Sequence, residues 1–326
     1  MPAEGGGGGG PTGGAAPSYR PPDRVATIAA AMPAPPDDAR SQLAEVVGVE
    51  RCGDDGVLLS VVPETALGPI RASRFFMLRR EIHGSPLVPR PFSIYRQAGG
   101  RLEFLIKVMG RGTRCLAAAR AGERVRLIGP LGNGWPAIDG AGDPWVMLAG
   151  GIGSAPFFMG VEQALAGMDG APAARGEDVT LLFGAAHAGL LYDLERLRAL
   201  GPRVLVATDD GSAGFRGNVV QLLERLWRDG ELPRAVRLLA CGPEPMLAAV
   251  ERLAREHELP CWLSLETLMG CGVGICNGCP IPTLPEGRFG DWPNAKCCVE
   301  GPVFSVRDVT LEEERRVEPE RARSGN

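Results

Sequence analysis

Trp145-Val-Met-Leu-Ala149 is an unbroken apolar run, and it leads into Gly150-Gly-Ile-Gly153-Ser-Ala-Pro156. Five apolar residues without alternation suit a strand covered on both faces, as in a parallel sheet. Glycines at its end let backbone N–H groups approach a pyrophosphate, which a following helix N-terminus stabilises. Pro156 fits the first turn of that helix, where no N–H partner is needed. Glycine turns also join many strands and helices that bind nothing, so the stretch gains its meaning from the elements downstream of it.

Beyond Pro156 the same alternation recurs. Helix is predicted over 155–166, strand over 179–183, helix over 192–200, strand over 203–207, helix over 218–227, strand over 235–240 and helix over 245–257. This βαβ series implies a parallel sheet with right-handed crossovers, set here at residues 142–259 as a nucleotide-binding α/β domain. Upstream, residues 41–141 read differently. Short β-branched and aromatic runs at 56–62, 74–78, 102–108 and 123–128 are broken by turns, the last stopping at Gly129-Pro130, with one helix over 113–120. A small antiparallel β-barrel fits that spacing. Residues 1–40, rich in Gly, Pro and Ala, read as a disordered tail, and 307–326 as a charged C-terminal tail. No internal repeat of fixed period is present.

Composition narrows the function. The 326 residues can hold two or three domains, and an apolar content of 44% with 23% charged residues is that of a globular protein. A net charge of −4 gives no sequence-wide basic balance for nucleic acid. Met1-Pro-Ala-Glu4 and the glycines after it lack the basic and apolar regions of a signal peptide, so a cytoplasmic location is expected. The long uncharged stretch 144–161 is glycine-interrupted and reads as strand, turn and helix rather than a membrane span.

Five of the nine cysteines fall between Cys271 and Cys298. Without export signals, such clustering favours metal ligation over disulfides. Cys271-Gly-Val-Gly-Ile-Cys276-Asn-Gly-Cys279, with Cys297-Cys298 downstream, has the C-x4-C-x2-C…C spacing of a plant-type [2Fe-2S] site. Gly272, Gly274 and Gly278 supply the positive φ values and free amides that a wrap around a small inorganic core requires. Zinc sites usually show paired C-x2-C spacings, and this segment has one. Spacing alone allows either Cys297 or Cys298 as the fourth ligand.

Two further loops at strand ends extend the nucleotide site: Thr208-Asp209-Asp-Gly211 and Cys241-Gly242-Pro243. Cys241 also reads as a small buried hydrophobe, and for Cys115 and Cys261 that is the better reading. The loop 184–189 offers no Arg or Lys for a 2′-phosphate, which tilts the donor toward NAD(H). In the barrel, an Arg fixed beside proline at Arg90-Pro91-Phe92-Ser93 can pair with a pyrophosphate, and Gly112-Thr113 opens the lone helix. Singly, these also read as an edge strand and an ordinary cap.

Taken in order, Arg90-Pro-Phe-Ser, Gly-Arg-Gly112-Thr113, Gly129-Pro-Leu-Gly-Asn-Gly134, Gly150-Gly-Ile-Gly-Ser-Ala-Pro156, Cys241-Gly-Pro and the terminal cysteine loop resemble the ferredoxin-reductase-like flavoproteins. Within them, Ser264-Leu-Glu-Thr-Leu-Met-Gly-Cys271 and Cys298-Val-Glu-Gly-Pro-Val-Phe304 are most similar to electron-transfer subunits of bacterial NAD-dependent dihydroorotate dehydrogenases. The resemblance covers residues 42–304. It implies a barrel binding FAD, an α/β domain binding NAD(H), and a small [2Fe-2S] domain at 260–306. It places Arg90, Pro91, Phe92, Ser93, Leu105, Ile106, Lys107, Gly112 and Thr113 on FAD, and Gly150, Gly151, Gly153, Pro156, Asp209, Cys241, Gly242 and Pro243 on the nicotinamide nucleotide. The ligands become Cys271, Cys276, Cys279 and Cys298, the last standing three residues before Gly301-Pro-Val-Phe. The implied partner is an FMN-containing catalytic subunit, in a heterotetramer of two of each. The same parts also suit a reductase for a hydrogenase, sulfite reductase or ferredoxin system, or an iron–sulfur module without turnover. The glycine-rich extension and the long gap from Cys279 to Cys298 depart from the family pattern.

Overall fold

The computed structural model describes residues 38–312. Residues 1–37 and 313–326, which hold most of the two expected tails, lie outside them. All described residues belong to one unit.

Seven strands form the barrel: β1 (Arg40–Cys52), β2 (Gly56–Pro63), β3 (Phe75–Arg80), β4 (Arg90–Ser93), β5 (Arg96–Ala98), β6 (Arg101–Lys107) and β7 (Arg124–Leu131). Every pair is antiparallel, in the order β4-β3-β7-β1-β2-β6-β5. Beyond β4 the chain crosses to the far edge, where the Tyr95 N–H donates to the Glu103 carbonyl at 2.9 Å and draws the two edges together. Phe76 and Phe104 meet edge-on inside, with centroids 5.6 Å apart. The longest strand, β1, is the one with the weakest sequence signal, because its inward residues Ala44 and Val46 are small. β7 does not stop at Gly129-Pro130 as its sequence suggests. Its ladder with β3 breaks there and resumes at Leu131, so the proline sits at a bulge where no ladder N–H is required.

The second sheet has β8 (Trp145–Gly150), β9 (Val179–Ala185), β10 (Arg203–Thr208), β11 (Phe215–Arg216), β12 (Arg237–Cys241) and β13 (Cys261–Ser264), all parallel. Its order is β11-β10-β9-β8-β12-β13-β16, where β16 (Val303–Ser305) is antiparallel. Helices Ala155–Ala166, Leu194–Ala199, Val219–Arg228 and Glu244–Glu256 connect the strands. Asn218 caps the third, its Oδ1 accepting the Val220 and Gln221 amides at 3.0 Å each.

Two expected boundaries move. Residues 260–306 are expected as a separate small domain, yet β13 at its start is a fifth main strand of the parallel sheet; four residues are too few to show a period. The cysteine segment is therefore an excursion between β13 and β16 at the sheet edge, and it contains only the hairpin β14 (Pro280–Pro282) with β15 (Asn294–Lys296). At the other end, residues 307–312, expected in the tail for their charge, are packed. Val309 and Thr310 are fully buried, the Leu311 N–H donates to Glu251 Oε2 at 2.8 Å, and Arg255 donates to the Val309 carbonyl. Glu251 is itself buried and paired with Arg255, and the C-terminal stretch supplies its remaining partner.

Val309→Ala should therefore destabilise the protein by about 1–2 kcal/mol, the value of two buried methylene equivalents, read from the denaturant midpoint. A position in a solvated tail would leave the midpoint unchanged.

Candidate functional site

The parallel sheet reverses strand order between β8 and β12, since β9 and β10 extend to one side of β8 while β12 and β13 lie on the other. Ligands of open α/β sheets occupy the crevice at that point, beyond the strand C-termini. There Gly150, Gly151 and Gly153 face Cys241, Gly242 and Pro243. A Cβ on Gly153 would lie 2.3 Å from the Cys241 carbonyl oxygen, and one on Gly150 would lie 2.7 Å from Pro243 Cδ. These two glycines are required by loop-to-loop packing. Gly151 differs: it has φ +54 and open space beyond it, which leaves its backbone free to meet a ligand. Pro156 is buried in the first turn of its helix. Burial, then the nearby Glu266 carboxylate, pushes the Cys241 thiol up to about 12, so it stays protonated.

Asp209 is exposed at the end of β10, its N–H donating to the Ala185 carbonyl at 3.1 Å. The neighbouring Asp210 accepts from the Ser212 N–H at 2.9 Å and Oγ at 2.6 Å, and these bonds hold its carboxyl below the usual range. The crevice thus carries two carboxylates at the β10 end, with Arg216 of β11 paired beside Thr208 and packed on Gly211.

On the barrel, Arg90, Pro91, Phe92 and Ser93 are β4 itself, half-buried on the sheet edge and paired only with β3. The Arg90 side chain lies across Gly112, where a Cβ would stand 2.3 Å from its Nε. Only glycine leaves room for that guanidinium at the start of the helix Arg111–Ala117. Thr113 turns inward on its own loop, its Oγ1 accepting the Met109 and Gly110 amides at 3.0 and 2.9 Å. Leu105 and Ile106 are buried, which leaves their backbone rather than their side chains for a ligand. Lys107 Nζ pairs with Asp55 Oδ2 at 3.5 Å, away from Arg90's own contacts.

Among the cysteines, Cys279 and Cys298 are buried and their sulfurs lie 3.3 Å apart. Cys271 and Cys276 form a second, more open pair. The Val273 and Cys276 amides point at Cys271 Sγ at 3.4 and 3.5 Å. Desolvation opposes its ionisation, but these donors prevail and bring that thiol down to about 6. Burial and then Cys279 push Cys298 up to about 12. Cys297 points elsewhere: it is fully buried and donates to the Leu265 carbonyl at 3.4 Å. Among the described residues no three acidic, His or Cys side chains converge on one ion. Two thiol pairs side by side suit a two-iron core, which takes two thiolates per iron.

Cysteine loop and barrel touch directly. A Cβ on Gly272 would lie 2.6 Å from Met77 Cγ, and Met77 pairs with Pro91 across β3 and β4. One strand therefore separates the cysteine loop from Arg90–Ser93. Two residues without an assigned role hold this arrangement. Lys296 Nζ donates to the Gly274 carbonyl at 3.0 Å, placing a cation beside the loop. Asn133 bonds four times to the stretch 300–303. Both carry a sequence signal, one as a rare lysine directly before the paired cysteines, the other inside Gly129–Gly134.

The cradles thus fit their groups: a glycine cleared for Arg90, an open Gly151 at the crevice, and thiols in two pairs with amides aimed at them.

Comparison with known proteins gives the same parts. Residues 266–310 match the model for the iron–sulfur cluster binding domain of dihydroorotate dehydrogenase B, and 147–252 match the oxidoreductase NAD-binding domain. The dihydroorotate dehydrogenase B (NAD(+)) electron transfer subunit of Desulforamulus reducens is 34% identical over 231 residues, 70% of this chain and 82% of that one. Its counterpart from Geobacillus thermodenitrificans is 35% identical over 69% and 81%. Among solved structures, an NADH-dependent reduced ferredoxin-NADP oxidoreductase aligns with TM-score 0.69 at 23% identity, covering 83% of this chain and 92% of that one. An Amycolatopsis cytochrome P450 reductase aligns at 0.56 and 24%, covering 68% and 67%. These two show the ferredoxin-reductase-like fold. With its curated relatives covered over four-fifths of their length, the chain belongs to the family of electron transfer subunits of NAD-dependent dihydroorotate dehydrogenase B.

Proposed function

We propose that this chain carries electrons between NAD(H) and an FMN-containing subunit that oxidises dihydroorotate to orotate in pyrimidine synthesis. The observation that carries this reading is the contact of the cysteine loop with β3, one strand from Arg90–Ser93. Bound FAD would supply the chemistry that links a two-electron hydride donor, NADH, to a one-electron [2Fe-2S] acceptor. Arg90 neutralises pyrophosphate charge, Pro91, Phe92 and Ser93 line the flavin edge, and Gly112 and Thr113 shape the helix start beneath it. Backbone from Leu105 to Lys107 would flank the ribityl chain. Gly151 admits the dinucleotide, Gly150, Gly153, Gly242 and Pro243 close the crevice, and Pro156, Asp209 and Cys241 line it. Cys271, Cys276, Cys279 and Cys298 would hold the cluster.

The cysteine segment also leaves apolar side chains in water: Leu268 is 90% exposed, Ile275 81% and Trp292 70%. Exposed apolar side chains on the segment that carries the cysteines suit a partner surface, and the expected assembly has two of each subunit. Nine unpaired thiols fit a reducing cytoplasm. Among the described residues no helix is long and apolar enough to cross a membrane.

Coexpression with the FMN subunit of the same organism should give a stable complex in which dihydroorotate oxidation reduces NAD. An FMN subunit fully active without this chain, and never bound to it, would favour another acceptor.

Asp209 and Asp210 oppose a 2′-phosphate. NADH should exceed NADPH in kcat/KM, since the loop 184–189 offers no cation for the phosphate and the two carboxylates repel it. Steady-state turnover with an artificial acceptor measures the ratio, and equal values would refute it.

Because Cys298 meets Cys279 while Cys297 bonds Leu265, Cys298→Ser should lose the reduced-state EPR signal and most of the iron. Cys297→Ser should keep both. Loss of the signal in Cys297→Ser alone would reverse the assignment.

A further inference from the structure

We propose that Asn133 is a positioning residue for electron transfer, fixing the separation between the cysteine segment and the barrel strand Arg90–Ser93. The inference rests on the proposed function, in which those two elements hold the cluster and the flavin.

Asn133 lies just beyond β7 and is 6% exposed. Its backbone N–H donates to the Gly301 carbonyl at 2.6 Å. Its side-chain Nδ2 donates to the Glu300 carbonyl at 3.0 Å and the Val303 carbonyl at 2.8 Å, and Oδ1 accepts the Val303 N–H at 2.9 Å. All polar groups of the amide that the site can use are thereby engaged with one four-residue stretch of backbone. Gly132 makes the approach possible. It has φ +66, and a Cβ there would stand 2.5 Å from the Gly301 carbonyl oxygen and 2.6 Å from Pro302 Cδ.

That stretch moves with Cys298. The Val299 and Glu300 N–H groups donate to the Lys296 carbonyl at 3.0 and 2.9 Å, and Glu300 Oε2 accepts the Lys296 N–H at 2.6 Å. Residues 296–300 form one closed turn with Cys298 inside it. A shift at 300–303 is therefore a shift of Cys298 relative to the barrel. Val303 also pairs with Ser264, where the excursion leaves the sheet, so Asn133 grips the point at which both ends of the cysteine segment meet. Electronic coupling between two centres decays exponentially with their separation. A small displacement here changes transfer to the cluster, while nucleotide binding and flavin reduction rest on the glycine loops and Arg90–Ser93, which Asn133 does not touch.

Two variants of the full, cofactor-loaded chain test this. Asn133→Ala removes every side-chain bond. Asn133→Asp keeps the acceptor for the Val303 N–H and loses both donated bonds, and it carries the test should the alanine variant fail to retain iron. Stopped-flow absorbance separates bleaching of the flavin by NADH from the later reduction of the cluster, and hydrogen exchange follows the Gly301 and Val303 amides. The expected result is flavin bleaching near the parental rate, iron content retained, faster amide exchange in the alanine variant, and cluster reduction slowed several-fold. Cluster reduction at the parental rate in an iron-replete variant overturns the inference alone. A parent protein whose flavin is bleached by NADH while its cluster stays oxidised overturns the proposed function as well.

Discussion

Three residue pairs of antiparallel ladder, Trp262–Ser305, Leu263–Phe304 and Ser264–Val303, tie both ends of the cysteine segment to the edge of the nucleotide sheet. A loop of nearly forty residues with little secondary structure would otherwise carry a large closure and ordering cost. Pairing its ends sets that loop at a fixed height on the sheet. Ser264 stands beside Cys241 in the parallel ladder, so the loop begins where the nucleotide crevice ends. Its outgoing arm reaches the barrel at Met77, through Gly272, and its return is held at Asn133. One continuous core links Phe75, Met77 and Leu131 of the barrel, Val146 and Leu238 of the sheet, and Cys279, Cys297 and Cys298 of the loop.

Polar contacts on the opposite flank hold barrel and sheet together. The Tyr192 hydroxyl donates to Asp55 Oδ1 at 2.5 Å, and Tyr95 donates to Asp193. Arg196 pairs with Asp193 at 3.0 Å and lies over the Phe158 ring at 4.9 Å from its centroid. Partial burial makes these bonds more directional than surface ion pairs, which contribute little. Burial, and then the adjacent carboxylate, raises both tyrosines well above the usual phenol range, so their hydroxyls remain donors. With one flank fixed by hydroxyl–carboxylate bonds and the other by backbone contacts at Asn133, the crevice and the cysteine loop keep their places around the barrel.

Within the loop, electrostatics follow position. The outer pair, Cys271 and Cys276, meets solvent and backbone amides, whereas the inner pair is desolvated. Lys296, one of very few lysines in an arginine-rich chain, places its ammonium on the Gly274 carbonyl. A core bearing four thiolates gains from such a cation and from aimed amides, the same means by which iron–sulfur potentials are tuned.

Much of this is legible in the chain itself. The apolar run at Trp145, the glycines after it and the βαβ rhythm specify a parallel sheet because local periodicity survives without tertiary context. Cysteine spacing likewise specifies a tight three-thiol loop. Elements without a local signature are hidden or misleading in sequence: β1, whose inward residues are small; β13, too short to show a period; and residues 307–312, whose charge hides the burial of Val309 and Thr310. Gly150 and Gly153 read as ligand glycines, and only the packed loops show that they first serve contact with Cys241 and Pro243. Adjacent cysteines are alike in spacing, and only the family likeness, through the place of Cys298 before Gly301-Pro-Val-Phe, tells them apart in the sequence. The fold sends Cys298 toward Cys279 and Cys297 toward Leu265, because the chain leaves β15 in a turn closed on the Lys296 carbonyl that directs the two side chains to different neighbours.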